Sequence, residues 1–526
     1  MSINKVYVLA ISLLTLSYLI ISLIIKPSMY YDSAIGFTTM KSMLSGAPFN
    51  YTKTVSLGSI AKNQLEFNGT WAPGQYLVPM LFIKYVGLNI GESIVITNFL
   101  MNVSGLFGLY YLFLALKFDR TVILTALMII VCQRFYSISY SLYNGGETIL
   151  FGTLPWILLC LRSLKYDNVF DFFYFMLLCS IGFLSKFSFI IVALAITIFL
   201  IIRNLKSFQN VLANDLLLAA VKHCLLFMLF FTICYLTFIN KGLYNAQTFK
   251  FSFSLTNTFF VLAEPLGSIL SIDDIYQRLF EFPGYNISED ILFVLKLIYY
   301  FIVALISILS VVKILNLKIS EDYKALLVSF LIVFTCVFLL FYNKKDITSS
   351  MEMRHFRSVG FLILPGVISY LKDDIKTVFS YLLLSMIFVS CLYGVTSFLQ
   401  RESGLLKNSY VGYNGFRLAI IDKPTLVFLK QLEKKTIGAT LMYLPDAAAA
   451  LEFNKSRIII SHADFEPLQQ LQEKHYLGTV PTLYVVLQSR FDNNGKKDAI
   501  LGSFKNYSHF KTIFRNDEFT VFEGLK

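Results

Sequence analysis

Charged residues with the chemistry of a reaction site stand next to apolar segments in this sequence. Asp32 follows closely on an uncharged apolar run, residues 6–25, and a basic stretch with the sequence MEMRHFR follows much later at residues 351–357. A carboxylate can accept the proton of a hydroxyl group, and an arginine side chain can hold a phosphate through two parallel hydrogen bonds. The residues that suit this chemistry are Asp32, Glu147, Lys186, Glu352, Arg354, His355 and Arg357.

Composition identifies the broad class of this protein. Hydrophobic residues make up 56% of the 526 residues, charged residues make up 15%, and the mean hydropathy is +0.65. Soluble globular domains carry about 25% charged residues. We therefore predict a polytopic α-helical membrane protein. The net charge of +12 does not indicate a nucleic acid partner, because the basic residues are spread among the loops between apolar runs.

Apolar runs long enough to cross a bilayer recur as far as residue 398. We count about eleven of them, an odd number that places the two termini on opposite sides of the membrane. With a cytoplasmic N-terminus, the large loops and the C-terminal region are extracytoplasmic. The predicted spans are residues 6–25, 93–116, 121–136, 146–161, 169–184, 187–202, 218–240, 291–315, 323–342, 358–371 and 376–398.

The number of spans depends on residues 172–202, which are long enough for one tilted helix or for two short helices. A lone lysine at mid-bilayer would cost ~3 kcal/mol. We therefore predict a hairpin around Ser185 that returns Lys186 to the outer surface. In this topology some basic residues lie outside, against the usual cytoplasmic preference, and a functional role would explain them. These residues are Lys344, Lys345, Arg354 and Arg357.

Two regions outside the spans are predicted to be folded. The first outer loop, residues 26–92, begins with a short helical pattern at residues 32–46, which we predict to be an amphipathic helix along the membrane surface. From residue 400, strand-length apolar runs alternate with helical patterns, which indicates a small α/β domain. We predict a membrane domain at 1–399 and a soluble extracytoplasmic domain at 400–526. The predicted strands of the second domain are 440–444, 457–461, 482–487, 510–514 and 519–522, and its predicted helices are 423–435, 465–475 and 496–506.

Common catalytic motifs do not match this sequence. A P-loop, a Rossmann glycine pattern, H-E-x-x-H, G-x-S-x-G and D-x-D are all absent. Four other stretches occur in order: YYDSAIGFTTMKSMLSGAPF, a W-x-P-G-x-Y motif starting at Trp71, GFLSKFSFI, and MEMRHFRSVGFLILPG. Together they resemble the GT-C superfamily of integral-membrane glycosyltransferases, in particular the bacterial aminoarabinose transferase and protein O-mannosyltransferase group. The resemblance covers roughly the first 400 residues.

The resemblance implies a reaction and roles for the residues. It implies that Asp32 is the catalytic base, that the donor is a sugar on a polyprenyl phosphate, and that the acceptor is an extracytoplasmic glycan, lipid or protein. Relatives often carry an Asp in the second outer loop, where this chain offers Glu147, which the resemblance implies as a second catalytic residue. Whether the protein binds a divalent metal stays an open question, and no other cofactor is expected. The remaining expected contacts are Lys186, Arg354 and Arg357 to the donor phosphate, and Trp71, Glu352 and His355 to the substrates.

Each of these residues also has a structural interpretation. Asp32 could cap a helix, Lys186 could extend to lipid headgroups, and Trp71 could be an interfacial anchor. Residues 352–357 could form a charged turn that binds anionic headgroups. At the level of function, the alternatives are a secondary transporter and a non-catalytic lipid-glycan assembly protein. A transporter would show broken helices or two related halves, and the sequence indicates neither.

Overall fold

The computed structural model of the protein describes most of the chain. The described residues are 3–162, 164, 169–207, 213–241, 252–280, 288–343, 352–435, 440–493 and 495–526, and the side chains of residues 204–219 are not described. Lys344 and Lys345, two of the basic residues singled out in the sequence, lie outside the described residues.

Most of the described chain is helical. The helices are α1 (Ile3–Ile25), α2 (Tyr31–Leu44), α3 (Gly74–Leu81), α4 (Ile90–Ala115), α5 (Arg120–Cys132), α6 (Arg134–Ile138), α7 (Gly145–Leu161), α8 (Val169–Ser185), α9 (Phe189–Ser207), α10 (Ala213–Thr237), α11 (Leu255–Gly267), α12 (Ile272–Phe280), α13 (Glu289–Leu315), α14 (Glu321–Tyr342), α15 (Arg357–Asp373), α16 (Val378–Asn408), α17 (Lys423–Lys435), α18 (Ala447–Ala450), α19 (Leu468–Glu473) and α20 (Lys496–Ser503).

The strands form three small sheets. They are β1 (Ser28–Met29), β2 (Tyr51–Ser56), β3 (Ser59–Phe67), β4 (Leu142–Tyr143), β5 (Tyr410–Val411), β6 (Arg417–Leu418), β7 (Thr440–Leu444), β8 (Arg457–Ile460), β9 (Thr482–Gln488), β10 (His509–Arg515) and β11 (Phe519–Leu525). The largest sheet has the order β10-β11-β9-β7-β8, in which β7 pairs in parallel with β8 and β9, while β11 pairs antiparallel with β9 and β10. The predicted α/β alternation and the final hairpin are confirmed.

Each predicted membrane span coincides with a helix, but the helices differ in length. Among the described residues, six helices are long and apolar enough to cross a bilayer: Ile3–Ile25, Ile90–Ala115, Ala220–Lys241, Glu289–Leu315, Glu321–Tyr342 and Val378–Asn408. The other predicted spans are shorter, such as α5 with 13 residues, which reaches about 20 Å at 1.5 Å per residue. A hydrocarbon core is ~30 Å thick. The predicted fold class, a polytopic helical membrane protein with a C-terminal α/β region, is confirmed.

The predicted hairpin at Lys186 is also confirmed. Helix α8 ends at Ser185 and α9 begins at Phe189, so that Lys186 lies in the turn between two helices. Its backbone N–H donates to the carbonyl oxygen of Gly182 at 3.0 Å, which closes the last turn of α8. The turn places the lysine side chain at a helix end. A position in the middle of one long helix would have placed it in the bilayer interior.

Residues 252–280, where the sequence predicts no membrane span, contain two helices. Helices α11 and α12 in this region form an apolar pair bent by 97°. Ser254 caps α11 by accepting a hydrogen bond from the N–H of Asn257 at 3.3 Å, and Ser271 has a positive φ of 52° at the bend. The sequence hid this pair because Glu264 and Pro265 interrupt an apolar run that is too short to read as a span. A broken helix is therefore present, contrary to the expectation used against a transporter.

The chain divides into two compact units. Unit 1 comprises Met1–Ile20, Asn98–Tyr140 and Gly146–Gln400, and unit 2 comprises Ile21–Thr97, Ser141–Gly145 and Arg401–Lys526. The whole first outer loop, residues 26–92, therefore shares a unit with the C-terminal region. Residue 400, where the predicted domains meet, is also a boundary between the units.

Unit 1 is organised around α15, whose side chains are buried from Ser358 to Val367. Two glycines of α15 let neighbouring segments of the protein approach this helix closely. A Cβ on Gly366 would lie 2.3 Å from the hydroxyl oxygen of Tyr323, and a Cβ on Gly360 would lie 2.8 Å from Oγ of Ser268. This packing fixes the position of Arg357, the first residue of α15.

Unit 2 places the first outer loop in a hydrophobic core. The helix predicted in this loop is confirmed as α2. Its apolar face is buried in unit 2 and is not available to the membrane surface. Phe37 and Met40 of α2 are buried in one cluster with Leu429 of α17 and Met442 of β7. The β2–β3 hairpin that follows α2 was not predicted, because its solvent-facing strands are too polar to stand out as apolar runs.

Candidate active site

A buried ion pair joins the start of α7 to the turn after α8. Glu147 lies in the first turn of α7 and accepts a hydrogen bond from Nζ of Lys186. Their side chains are only 13% and 16% exposed. The two segments touch, because a Cβ on Gly146 would lie 3.4 Å from the carbonyl oxygen of Ser185. Burial lowers the pKa of the Lys186 ammonium group, and the opposing effect of Glu147 does not offset it.

Two arginines complete a ring of cations around the same carboxylate. Nε of Arg354 lies 3.8 Å from Oε1 of Glu147, and Nη1 of Arg357 lies 3.9 Å from Oε2. These distances are too long for hydrogen bonds but short enough for strong attraction between partly buried charges. The structure therefore brings together Glu147, Lys186, Arg354 and Arg357, which we call the cation cluster.

Glu352 and His355 flank the cation cluster. Nε of Arg354 donates to Oε2 of Glu352, and Nε2 of His355 lies 3.5 Å from the same oxygen. Burial raises the pKa of Glu352, but His355 and Arg354 together outweigh burial and lower it to about 2. Burial lowers the pKa of His355, which stacks on Phe338 with ring centroids 5.5 Å apart. Glu352 is thus held ionised beside a neutral histidine.

The cation cluster has the properties of an anion site. When the flanking Glu352 is counted with the cluster, three cations face two carboxylates, which leaves one positive charge. One buried nitrogen atom, Nε of Arg357, has no hydrogen-bond partner among the described residues, and its N–H can donate to an anion. The Arg357 guanidinium lies over the ring of Phe135, with Cζ 5.2 Å from the centroid. Arg357 also opens α15, whose positive dipole end attracts anions.

Two predicted site residues, Asp32 and Trp71, belong to unit 2, whereas the other six belong to unit 1. Asp32 lies half-buried in the first turn of α2, where the N-cap residue is Tyr30. The structure therefore does not support the interpretation of Asp32 as the capping residue. Trp71 is half-buried shortly before α3, and its backbone N–H donates to Oδ1 of Asn68 at 3.3 Å.

Sequence reasoning missed the contacts of Tyr31, the residue next to Asp32 in the chain. The hydroxyl group of Tyr31 forms a hydrogen bond with Nδ1 of His462 at 2.9 Å. Burial raises the pKa of the Tyr31 phenol, and the negative charges of Asp446 and Asp32 raise it further. Tyr31 adjoins Asp32 in the sequence and could have been noted. His462 and Asp446 carried no signal, because they lie more than 400 residues away in the chain.

A further buried acid was also missed. Glu264 in α11 is only 1% exposed, and neither of its carboxyl oxygens has a hydrogen-bond partner among the described residues. The buried hydroxyl group of Ser268 likewise has no hydrogen-bond partner among the described residues. Across the part of the chain that the structure describes, no three His, Cys, Asp or Glu side chains are grouped to bind a metal ion.

Among the comparisons with known proteins, only the search of solved structures gives matches. No family model matches the sequence, and no curated protein matches it. The structure is similar to two crystal structures of ArnT from Cupriavidus metallidurans, one bound to undecaprenyl phosphate and one in the apo state. Both share 13% identity, with TM-scores of 0.48 and 0.46, over 99% of this chain and 98% of the other.

The cation cluster leads to a prediction about stability. We expect Glu147→Gln to lower the free energy of unfolding by about 3 kcal/mol, because removal of one partner leaves the other buried charges uncompensated. Adding Lys186→Met should restore part of the loss, since one of those charges is then gone. Thermal unfolding of the purified variants measures both effects. Glu321→Gln is the control, because Glu321 forms an exposed ion pair with Lys324 and such pairs contribute ~0–1 kcal/mol. Equal unfolding temperatures for Glu147→Gln and the control would contradict the prediction.

Proposed function

We propose that this protein is a membrane glycosyltransferase that moves a sugar from a polyprenyl-phosphate donor to an extracytoplasmic glycan, lipid or protein. The observation that carries the proposal is the convergence of Lys186, Arg354 and Arg357 on Glu147. Three cations from two segments, the turn after α8 and residues 354–357, meet Glu147 of α7 in a largely buried group with a net positive charge, which suits a phosphate on the end of a lipid.

The proposed roles follow from the charges. Arg354 and Arg357 bind the donor phosphate, because a guanidinium group can donate two parallel hydrogen bonds to it. Lys186 adds a third positive charge. Glu147 holds the three cations in place in the absence of the donor, so that its role is positional and differs from the second catalytic acid expected from the sequence. Glu352 and His355 orient Arg354 beside the substrates.

Asp32 is proposed as the base of the reaction. It takes the proton of the acceptor hydroxyl group while that oxygen bonds to the anomeric carbon of the sugar. The bond from the anomeric carbon to the phosphate oxygen breaks at the same time, and the electron pair leaves with the phosphate. The cation cluster stabilises the negative charge that develops there. Trp71, a residue of unit 2, is proposed to contact the substrate. The steps of this reaction do not require a divalent metal.

The experiment that tests the proposal compares cells with and without the gene by mass spectrometry of glycolipids and glycoproteins. We expect a single sugar modification to disappear without the gene and to return with a plasmid copy. Because the acceptor side is proposed to be extracytoplasmic, a membrane-impermeant glycosidase should remove the modification from intact spheroplasts. An unchanged set of glycans would refute the transferase, whereas a modification protected in spheroplasts would refute only the orientation.

A secondary transporter is a second candidate, favoured by one observation. The bent pair α11–α12 carries the buried Glu264 about two helical turns before its break, and transporters place binding groups at broken helices. Purified protein in liposomes distinguishes the two functions. A transporter would move a labelled sugar-phosphate lipid or solute across the bilayer without changing it, whereas the proposed enzyme consumes the donor.

A further inference from the structure

A groove on the surface of unit 1 lies between α1, α4 and α5. Its volume is about 930 Å³, and its walls are mainly apolar side chains such as Val8, Val103 and Leu124. In a membrane protein, such a surface faces lipid. The part of α1 that lines the groove runs from Lys5 to Leu16. At 1.5 Å per residue it is about 16 Å long, a length suited to lipid acyl chains.

One end of the groove is basic. Lys5 and Arg120 are both exposed lining residues. They lie at the same end, because Oγ1 of Thr121 donates to Oδ1 of Asn4 at 3.2 Å. Neither cation forms an ion pair with a carboxylate among the described residues, and the described residues that line the groove include no acid. Apolar walls with two cations at one end match a lipid with an anionic headgroup.

This end is separate from the cation cluster. Helix α5 begins at Arg120 and ends at Cys132, and Phe135 just beyond it lies under the Arg357 guanidinium. The length of α5 is about 20 Å. A phosphate at Lys5 and Arg120 is therefore too far away to be the phosphate held by Arg357.

We propose that this groove binds an anionic glycerophospholipid of the bilayer, with its phosphate at Lys5 and Arg120 and its acyl chains along α1 and α4. The predicted topology supports this occupant, because it puts the basic end at the cytoplasmic face, where anionic lipids attract lysine and arginine. The inference does not depend on the proposed glycosyl transfer.

The test uses the full-length protein in nanodiscs of phosphatidylcholine with or without phosphatidylglycerol. Native mass spectrometry counts the lipids that stay bound after stepwise delipidation. We expect one or a few phosphatidylglycerol molecules on the wild type and binding weaker by roughly 30-fold for Lys5→Gln/Arg120→Gln, since each cation contributes about 1 kcal/mol near an anionic headgroup. The matched control is Lys313→Gln/Lys318→Gln, which removes two charges outside the groove and should bind as the wild type does.

A second variant keeps the charges and fills the groove. Val103→Trp should displace the lipid while Lys5 and Arg120 remain, and its unfolding temperature in phosphatidylglycerol should no longer exceed that in phosphatidylcholine. Three results would overturn the proposal: equal retention of phosphatidylcholine, unchanged phosphatidylglycerol binding by the Lys5/Arg120 variant, or polyprenyl phosphate as the lipid that the groove retains.

Discussion

Asp32→Asn is expected to lower the turnover of sugar transfer by ~10²–10⁴-fold, the usual contribution of a positioned acid–base group. Asparagine has nearly the same shape as aspartate but cannot take the acceptor proton. Folding should change little, since Asp32 is half-buried and does not cap α2. Donor affinity should stay the same or rise slightly, because one negative charge is removed.

The measurement is the transfer of labelled sugar from a polyprenyl-phosphate donor by purified protein, with donor binding and unfolding temperature recorded for the same samples. Asp373→Asn is the matched control, because it makes the same change at an exposed position, the last residue of α15. Asp32→Glu should keep part of the activity. Near-normal transfer by Asp32→Asn would remove this residue from the mechanism and leave it as a helix residue of unit 2.

Arg357→Ala is expected to weaken donor binding and turnover together. A hydrogen bond to a charged group contributes ~1.5–3 kcal/mol, which corresponds to roughly 10–100-fold in affinity. Because the phosphate gains charge as the sugar leaves, the loss in kcat/KM should be larger than the loss in affinity. Arg354→Ala should behave in the same way, and Arg357→Lys should restore only part of the function because an ammonium group lacks the planar fork.

Titration with a polyprenyl phosphate that lacks the sugar isolates the contribution to phosphate binding. The control is Arg278→Gln, which removes an exposed arginine elsewhere in unit 1. Unchanged affinity in Arg357→Ala would mean that the cation cluster serves only to hold unit 1 together. That outcome would be separable from unfolding, because the Glu147 variants report the stability of the same cluster.

The sequence by itself determined the class of protein and most of its helices. Runs such as residues 291–315 can be recognised because the bilayer requires an apolar helix of about 20 residues. The turn at Lys186 followed from the cost of a buried lysine, and the strands at 440–444 and 482–487 followed from their short apolar pattern. These features depend on neighbouring residues in the chain, and their signals are therefore local.

Only the tertiary structure decided which of these elements meet. Glu147 and Lys186 are 39 residues apart, and Arg357 joins them because the glycines of α15 let that helix pack closely in unit 1. The hydrogen bond from Tyr31 to His462 spans 431 residues. The bend between α11 and α12 and the grouping of residues 21–97 with 401–526 likewise depend on contacts between distant segments. Such contacts are selected by the shape and burial of whole surfaces, which no local pattern of residues records.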